Sequence, residues 1–171
     1  MARHLPGSFF DVMPVALRDA HLVARGREWF ARAYTHWLEE MGASPADVAA
    51  SASEVEAVLT QHDRNVLIIE RDDQRVGFAV LQHRSATDIP SVHLLHAFYV
   101  SPEFRKLGVG DAAARLLFDR FRGRWEIRSL SSDTRAIAFW RRVTTGYAEG
   151  VVDERRERGE VVQRFLSNGA R

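Results

Sequence analysis

Between residues 65 and 100 the sequence is built of short, near-continuous apolar runs, while the stretches upstream and downstream include segments at helical spacing. The runs "NVLIIE", "QRVGFAVLQHR" and "SVHLLHAFYV" are rich in β-branched and aromatic residues, and only "RDD" and "SATDIP" separate them. Short polar connections of this kind join antiparallel neighbours. Three consecutive antiparallel strands are therefore expected. The last, residues 92–100, is apolar on both parities apart from His93 and His96, the pattern of a central strand covered on both faces.

The rest of the chain supplies what covers it. "SFFDVMPV" is expected to form a short first strand ended by Pro14, which has no N–H for a sheet ladder. Over residues 22–41 the pairs Leu22/Val23, Trp29/Phe30, Ala33/Tyr34 and Trp37/Leu38 make one apolar stripe, which predicts a helix with Gly26 as its weak point and Gly42 as its end. Residues 43–53, rich in Ala and Ser, read as a connection. A second helix, "SEVEAVLTQH", follows, capped by Ser53 with Glu56 three residues on. Downstream come a helix over residues 109–121, a strand "WEIRSL", a helix over 134–144, and a terminal pair, "YAEGVVDERR" and "EVVQRFL", turning at Gly159. The order gives seven strands and four helices, a mixed α/β (α+β) fold. No repeat, low-complexity tract or linker divides the 171 residues, so a single domain over 1–171 is expected.

Composition removes several function classes. With 24 Lys+Arg against 23 Asp+Glu, the chain lacks the basic excess of a nucleic-acid binder, which counts against nucleic acid as a partner. Zero cysteines exclude disulfides, thiolate metal sites and a cysteine nucleophile, and fit a reducing, cytoplasmic compartment. No apolar run is long enough for a membrane helix, and the first residues do not read as a secretion signal. The chain is compatible with a homodimer.

The segment "FYVSPEFRKLGVGDAAARLL" runs from the third strand through a basic turn into an alanine-rich helix. A helix amino terminus offers unpaired N–H groups and roughly half a positive charge, which makes it an anion site. Arg105 and Lys106 add side-chain charge, and Gly108 and Gly110 remove the Cβ atoms that would keep a diphosphate from the amides. "GVGDAA" also satisfies a dinucleotide-binding pattern. That fold requires the glycines directly after its first strand and several βα units after them, and only 61 residues follow Gly110. No Gly-Lys-Ser/Thr follows either, so the turn is not a nucleoside-triphosphate loop.

The residues Val100, Pro102, Arg105, Gly108 and Gly110 resemble the coenzyme A motif of the GNAT acetyltransferase superfamily. Asp133, Ala136, Phe139, Trp140, Gly146 and Tyr147 resemble its following motif, and the element order agrees along most of the chain. The resemblance implies a mixed, largely antiparallel sheet and transfer of an acetyl group from acetyl-coenzyme A to a primary amine. It assigns the cofactor to Phe98, Tyr99 and Val100 on the strand, and to Arg105, Lys106, Leu107, Gly108, Val109, Gly110 and Asp111 in the turn. Asp133 and Trp140 complete the set, and no metal is implied. The alternative is an acyl-coenzyme A sensor or interaction domain without catalysis.

Direct transfer needs an uncharged amine. A lysine-like amine has a pKa of ~10.4 whereas a thiol leaves near ~8.5, so the base matters more than the acid. His96, two residues before Phe98, is the first candidate base; His93 and Glu70 are weaker ones. His93 and His96 are three apart on a strand and face opposite ways, which argues against a shared metal. Trp140 stands where the family commonly has an acidic Tyr, and an indole N–H is no acid near neutral pH. Tyr147 is expected as a buried aromatic at a strand start, Asp133 as a helix N-cap. Arg155, Arg156 and Arg158 are expected on a solvated surface, with an acidic acceptor as their secondary reading.

Overall fold

The β-patterned stretch forms the middle of a seven-stranded sheet in a computed structural model that describes residues 14–86, 89–148 and 151–168. The strands are β1 (Val15–Asp19), β2 (Arg64–Arg71), β3 (Gln74–Ala86), β4 (Ile89–Val100), β5 (Gly123–Leu130), β6 (Asp153–Glu157) and β7 (Glu160–Ser167). The helices are α1 (Gly26–Glu40), α2 (Pro45–Thr60), α3 (Val109–Arg120) and α4 (Thr134–Tyr147). The strand order is β1-β2-β3-β4-β5-β7-β6, and β4–β5 alone among these pairs is parallel. The β2–β3 turn is made by Asp72 and Asp73, both with positive φ (49° and 61°), the conformation whose twist suits a two-residue hairpin.

Helices cover both faces. Phe30, Tyr34, Val55 and Val58 of α1 and α2 pack on Phe78, Val80, Ala97 and Tyr99. On the other face, Ala114, Leu117 and Phe118 of α3 and Trp140 and Val143 of α4 pack on Leu67, Ala79, Trp125 and Phe165. β4 is thus covered on both sides, as its sequence predicts. No helix among the described residues is long and apolar enough to cross a membrane.

The strand expected over residues 8–15 lies, apart from Pro14 and Val15, outside the described residues, among which β1 begins at Val15. Three boundaries differ from expectation. α1 starts at Gly26, because a Cβ at that position would lie 2.2 Å from the Ala20 carbonyl oxygen, so the glycine is required by a close approach. The end at Gly42 holds, with φ 85°. The Ala/Ser stretch after it is helical. Ser44, not Ser53, is the N-cap of α2: its hydroxyl accepts from the Asp47 N–H, and Asp47 accepts from the Ser44 N–H in return. Alanine is the best helix former, and the Ser51 and Ser53 hydroxyls are absorbed by donating to carbonyls three residues back. Finally, α4 runs on through Gly146, so Tyr147 ends a helix instead of starting a strand.

Gly77 on β3 sits where β3 and β4 close on each other. A Cβ there would lie 2.1 Å from the Tyr99 carbonyl oxygen. Gly77→Ala is expected to lower the unfolding free energy by about 2–3 kcal/mol in denaturant melts; an unchanged midpoint would mean that the strands can part without cost.

Candidate functional site

β4 and β5 begin paired and then separate. Their parallel register runs from Val92 opposite Arg124 to Leu95 opposite Ile127 and stops, while β5 stays paired to β7 as far as Leu130 opposite Glu160. The cause lies in the next residue. Across the β3–β4 ladder Val80 faces Ala97 but Leu81 faces Leu95, so His96 is an extra residue, a β-bulge. A bulge bends its strand and raises the local twist. It also resets parity: His93 and Leu95 face α3 and α4 before it, Phe98 and Val100 after it.

The bulge leaves backbone groups facing a gap. Ser101 N–H donates to the Val76 oxygen at 2.8 Å, which in the alternating antiparallel pattern turns the main-chain groups of Phe98 and Val100 away from β3. The gap is a cleft of about 820 Å³. Phe98 and Val100 form one wall, Ile127 to Leu130 the other, and Phe139 and Trp140 line it from α4. Trp37, Glu40 and Met41 close it from the end of α1. These α1 residues carry no local motif, so the sequence did not reveal them as part of the site.

At the far end the chain turns into α3. Lys106 (φ 61°) and Gly108 (φ 78°) both take the left-handed conformation. Gly108 accepts the first helical hydrogen bond, from Ala112 N–H at 3.0 Å. No hydrogen bond occupies the backbone N–H of Lys106, Leu107, Gly108, Val109, Gly110 or Asp111 among the described residues. The Val109 side chain is buried, so only its backbone faces the turn, while Leu107 is exposed. Asp111 holds Arg115 at 2.7 Å one turn on.

Two turn residues act differently from the sequence reading. Arg105 donates Nε–H to the Val100 oxygen at 2.7 Å and directs its guanidinium to Glu40, with Nη2 2.9 Å from Oε2. That bond holds the guanidinium pKa above its ordinary value. The Arg105 charge is therefore matched within the protein, and its plane lies over the Tyr99 ring, 5.5 Å from the centroid. The Tyr99 ring belongs to the α1–α2 face of the sheet. Gly110 makes room for a ring: a Cβ there would lie 3.2 Å from Phe139. Lys106, Arg135 and Arg142 line the cleft and form no ion pair among the described residues. Arg135 and Arg142 escaped the sequence reading because they sit in a helix whose motif is defined by other positions.

The candidate bases separate clearly. His96 lines the cleft, and its Nε2 is 3.8 Å from Glu54 of α2. Burial, then the Arg64 charge, hold its pKa below the ordinary histidine range, which leaves it neutral at pH 7. His93 is buried away from the cleft: its Nε2 faces the Arg122 oxygen at 2.7 Å and its Nδ1 the Nδ1 of His83 at 2.8 Å. A carbonyl only accepts, so His93 carries its hydrogen on Nε2 and accepts at Nδ1 from His83. Glu70 pairs with Arg18 and Arg75 and is not in the cleft. Tyr147 is a packed aromatic whose hydroxyl meets Asp119 at 2.7 Å and Ser167 at 2.9 Å. Asp133 caps α4 by accepting from Ala136 N–H at 3.0 Å, and it also lines the cleft. Trp140 meets Phe98 edge-on, with centroids 5.0 Å apart. Arg155, Arg156 and Arg158 are exposed and outside the cleft.

The profile of the acetyltransferase (GNAT) family matches residues 23–144, and the chain belongs to that family. No curated protein matches it by sequence. Among solved structures, an acetyltransferase from Thermus thermophilus is similar at 10% identity and TM-score 0.65, covering 91% of this chain and 98% of its own. The PaiA N-acetyltransferase of Thermoplasma acidophilum in complex with coenzyme A is similar at 13% identity and TM-score 0.62, covering 90% and 99%. The N-acetyltransferase PseH of Campylobacter jejuni in complex with acetyl coenzyme A is similar at 9% identity and TM-score 0.60, covering 91% and 100%. These likenesses show the same fold, a mostly antiparallel sheet of seven strands with four helices.

The His83–His93 pair, of which His93 is buried and His83 half-buried, sets a pH dependence. Burial, then the His93 charge, hold His83 below the ordinary histidine value. The unfolded chain, where His83 titrates near ~6.5, binds the proton more readily, so stability is lost as pH falls below that value. Urea melts at about pH 7 and about pH 5 are expected to show a smaller loss for His83→Gln than for wild type; an equal loss would place the acid sensitivity elsewhere.

Proposed function

We propose that the protein is an N-acetyltransferase that carries acetyl from acetyl-coenzyme A directly to a primary amine, within one domain. The observation that carries this reading is the open β4–β5 gap ending at the unpaired amides of residues 106–111. The residues fit the cofactor. Amides at a helix start suit a pyrophosphate, and Lys106, Arg135 and Arg142, the last over the Phe139 ring, supply positive charge that no carboxylate among the described residues neutralises. The main-chain groups of Phe98 and the Val100 N–H offer the pantetheine arm an open strand edge, to which an amide-bearing chain can add, the Val100 oxygen being held by Arg105. Arg105 acts here by bracing the turn against α1 through Glu40.

In the reaction the amine lone pair attacks the thioester carbonyl, the C–N bond forms, and the C–S bond breaks to release thiolate. His96 takes the proton from the amine nitrogen. The thiolate needs no protein acid to depart, and Trp140 shapes the cleft by packing on Phe98. Trp140 is also the observation that favours a second reading, a coenzyme A sensor without turnover. The acceptor enters from the side lined by Trp37, Met41 and His96.

Calorimetry is expected to show coenzyme A binding, and Arg135→Glu with Arg142→Glu should weaken it about tenfold, the equivalent of roughly 1.4 kcal/mol. Binding by the double variant equal to wild type would remove these cations from the site. Acetyl-coenzyme A turnover should be found in a panel of spermidine, an aminoglycoside, an alanyl peptide and a lysyl peptide; binding without turnover of any amine would favour the sensor. Trp140→Phe should keep most activity. His96→Gln should lose about 10²-fold at neutral pH, with coenzyme A affinity unchanged. Wild-type turnover should fall as pH drops through the depressed His96 pKa, because the imidazolium cannot accept a proton. A Gln variant with wild-type rate and pH profile would show that the proton leaves by another route.

A further inference from the structure

We propose that Glu54 is a positioning residue for His96: its carboxylate holds the hydrogen on Nε2, so that Nδ1 is the nitrogen that takes the amine proton. The inference deepens, and rests on, the reading of His96 as the base.

Three elements build the arrangement. The bulge places the His96 ring toward α2, where Glu54 Oε1 lies 3.8 Å from Nε2, within ion-pair range though too far for a direct hydrogen bond. The same Oε1 accepts from the Tyr34 hydroxyl of α1 at 2.9 Å. Tyr34 is only 1% exposed and is fixed by ring contacts with Phe30, Trp37 and Phe78, so the carboxylate is anchored from behind by a rigid donor. An exposed glutamate without such a donor would spend its time among rotamers.

Charge gives the arrangement its purpose. The groups that face His96 are Glu54 from α2 and Arg64 from β2, with Tyr34 behind Glu54. Arg64 opposes a second positive charge on the ring, and its Nε is buried without a hydrogen-bond partner among the described residues. Next to that guanidinium an imidazole alone is a poor proton acceptor; the Glu54 carboxylate offsets it. At 3.8 Å the negative carboxylate favours the hydrogen on the ring nitrogen that faces it, and the lone pair is left on Nδ1. As the C–N bond forms, the amine proton passes to Nδ1. The imidazolium then faces Glu54 through Nε2–H, and release of the Nδ1 proton to solvent restores the starting tautomer.

Nitrogen-15 spectra of the His96 ring, assigned by comparison with His96→Gln, test this without an acceptor. In wild type at about pH 8 the Nε2–H tautomer should dominate. In Glu54→Gln the Nδ1–H form should appear and the titration midpoint should fall by about one pH unit. A wild-type ring with hydrogen on Nδ1, or a Gln variant with unchanged tautomer and midpoint, overturns the role of Glu54 while leaving His96 as base. Undiminished turnover of the amine panel by His96→Gln overturns the base reading itself, and this inference with it.

Discussion

A strand that bulges by one residue loses its neighbour, and the cleft follows from that loss. With His96 inserted, β4 turns away from β5 beyond Leu95 and Ile127 while its pairing to β3 continues to Val100 opposite Gly77. Main-chain groups left unpaired in a protein interior are costly, so an open strand edge persists only where water or a ligand can satisfy it. One of these groups is met internally, since the Val100 oxygen accepts from Arg105. The hydrophobic layer under α3–α4 reaches strands on both sides of the gap, and the one under α1–α2 holds β2 to β4.

The same insertion places chemistry at the opening. Because it resets the parity of β4, Phe98 continues the wall built by Phe139 and Trp140, while His96 itself stands on the side of α2 beside Glu54. Phe98 and His96, two residues apart, thus stand on opposite faces of one strand and both line the cleft. The Arg105–Glu40 pair ties the turn before α3 to the end of α1, so two ends of the cleft lining are mechanically joined. Both partners are part-exposed, and the value of the pair is more in orientation than in stability.

Much of this was legible beforehand, for identifiable reasons. Near-continuous β-branched and aromatic runs broken by "RDD" and "SATDIP" marked β2 to β4, and glycines flanking a Val at a helix start marked the turn. The helix over residues 43–53 was missed because the Ala/Ser composition lacks an apolar period, whereas the signal that mattered was the reciprocal cap at Ser44 and Asp47. Glu40 pairing with Arg105 spans 65 residues, and the Tyr34–Glu54 bond joins two helices; neither leaves a local pattern. The bulge at His96 was equally hidden. A strand apolar on both parities gives no sign that its register slips, although that same two-sided character is what allows the slip to bury side chains on either face.

If the β4–β5 gap and the start of α3 together receive coenzyme A through backbone groups, amide correlation spectra recorded while coenzyme A is added will report it residue by residue. The largest shifts should fall on Phe98, Val100 and residues 107–111, with the β2–β3 hairpin unmoved. Saturable binding that leaves those amides in place, with shifts gathered elsewhere on the sheet, would contradict it.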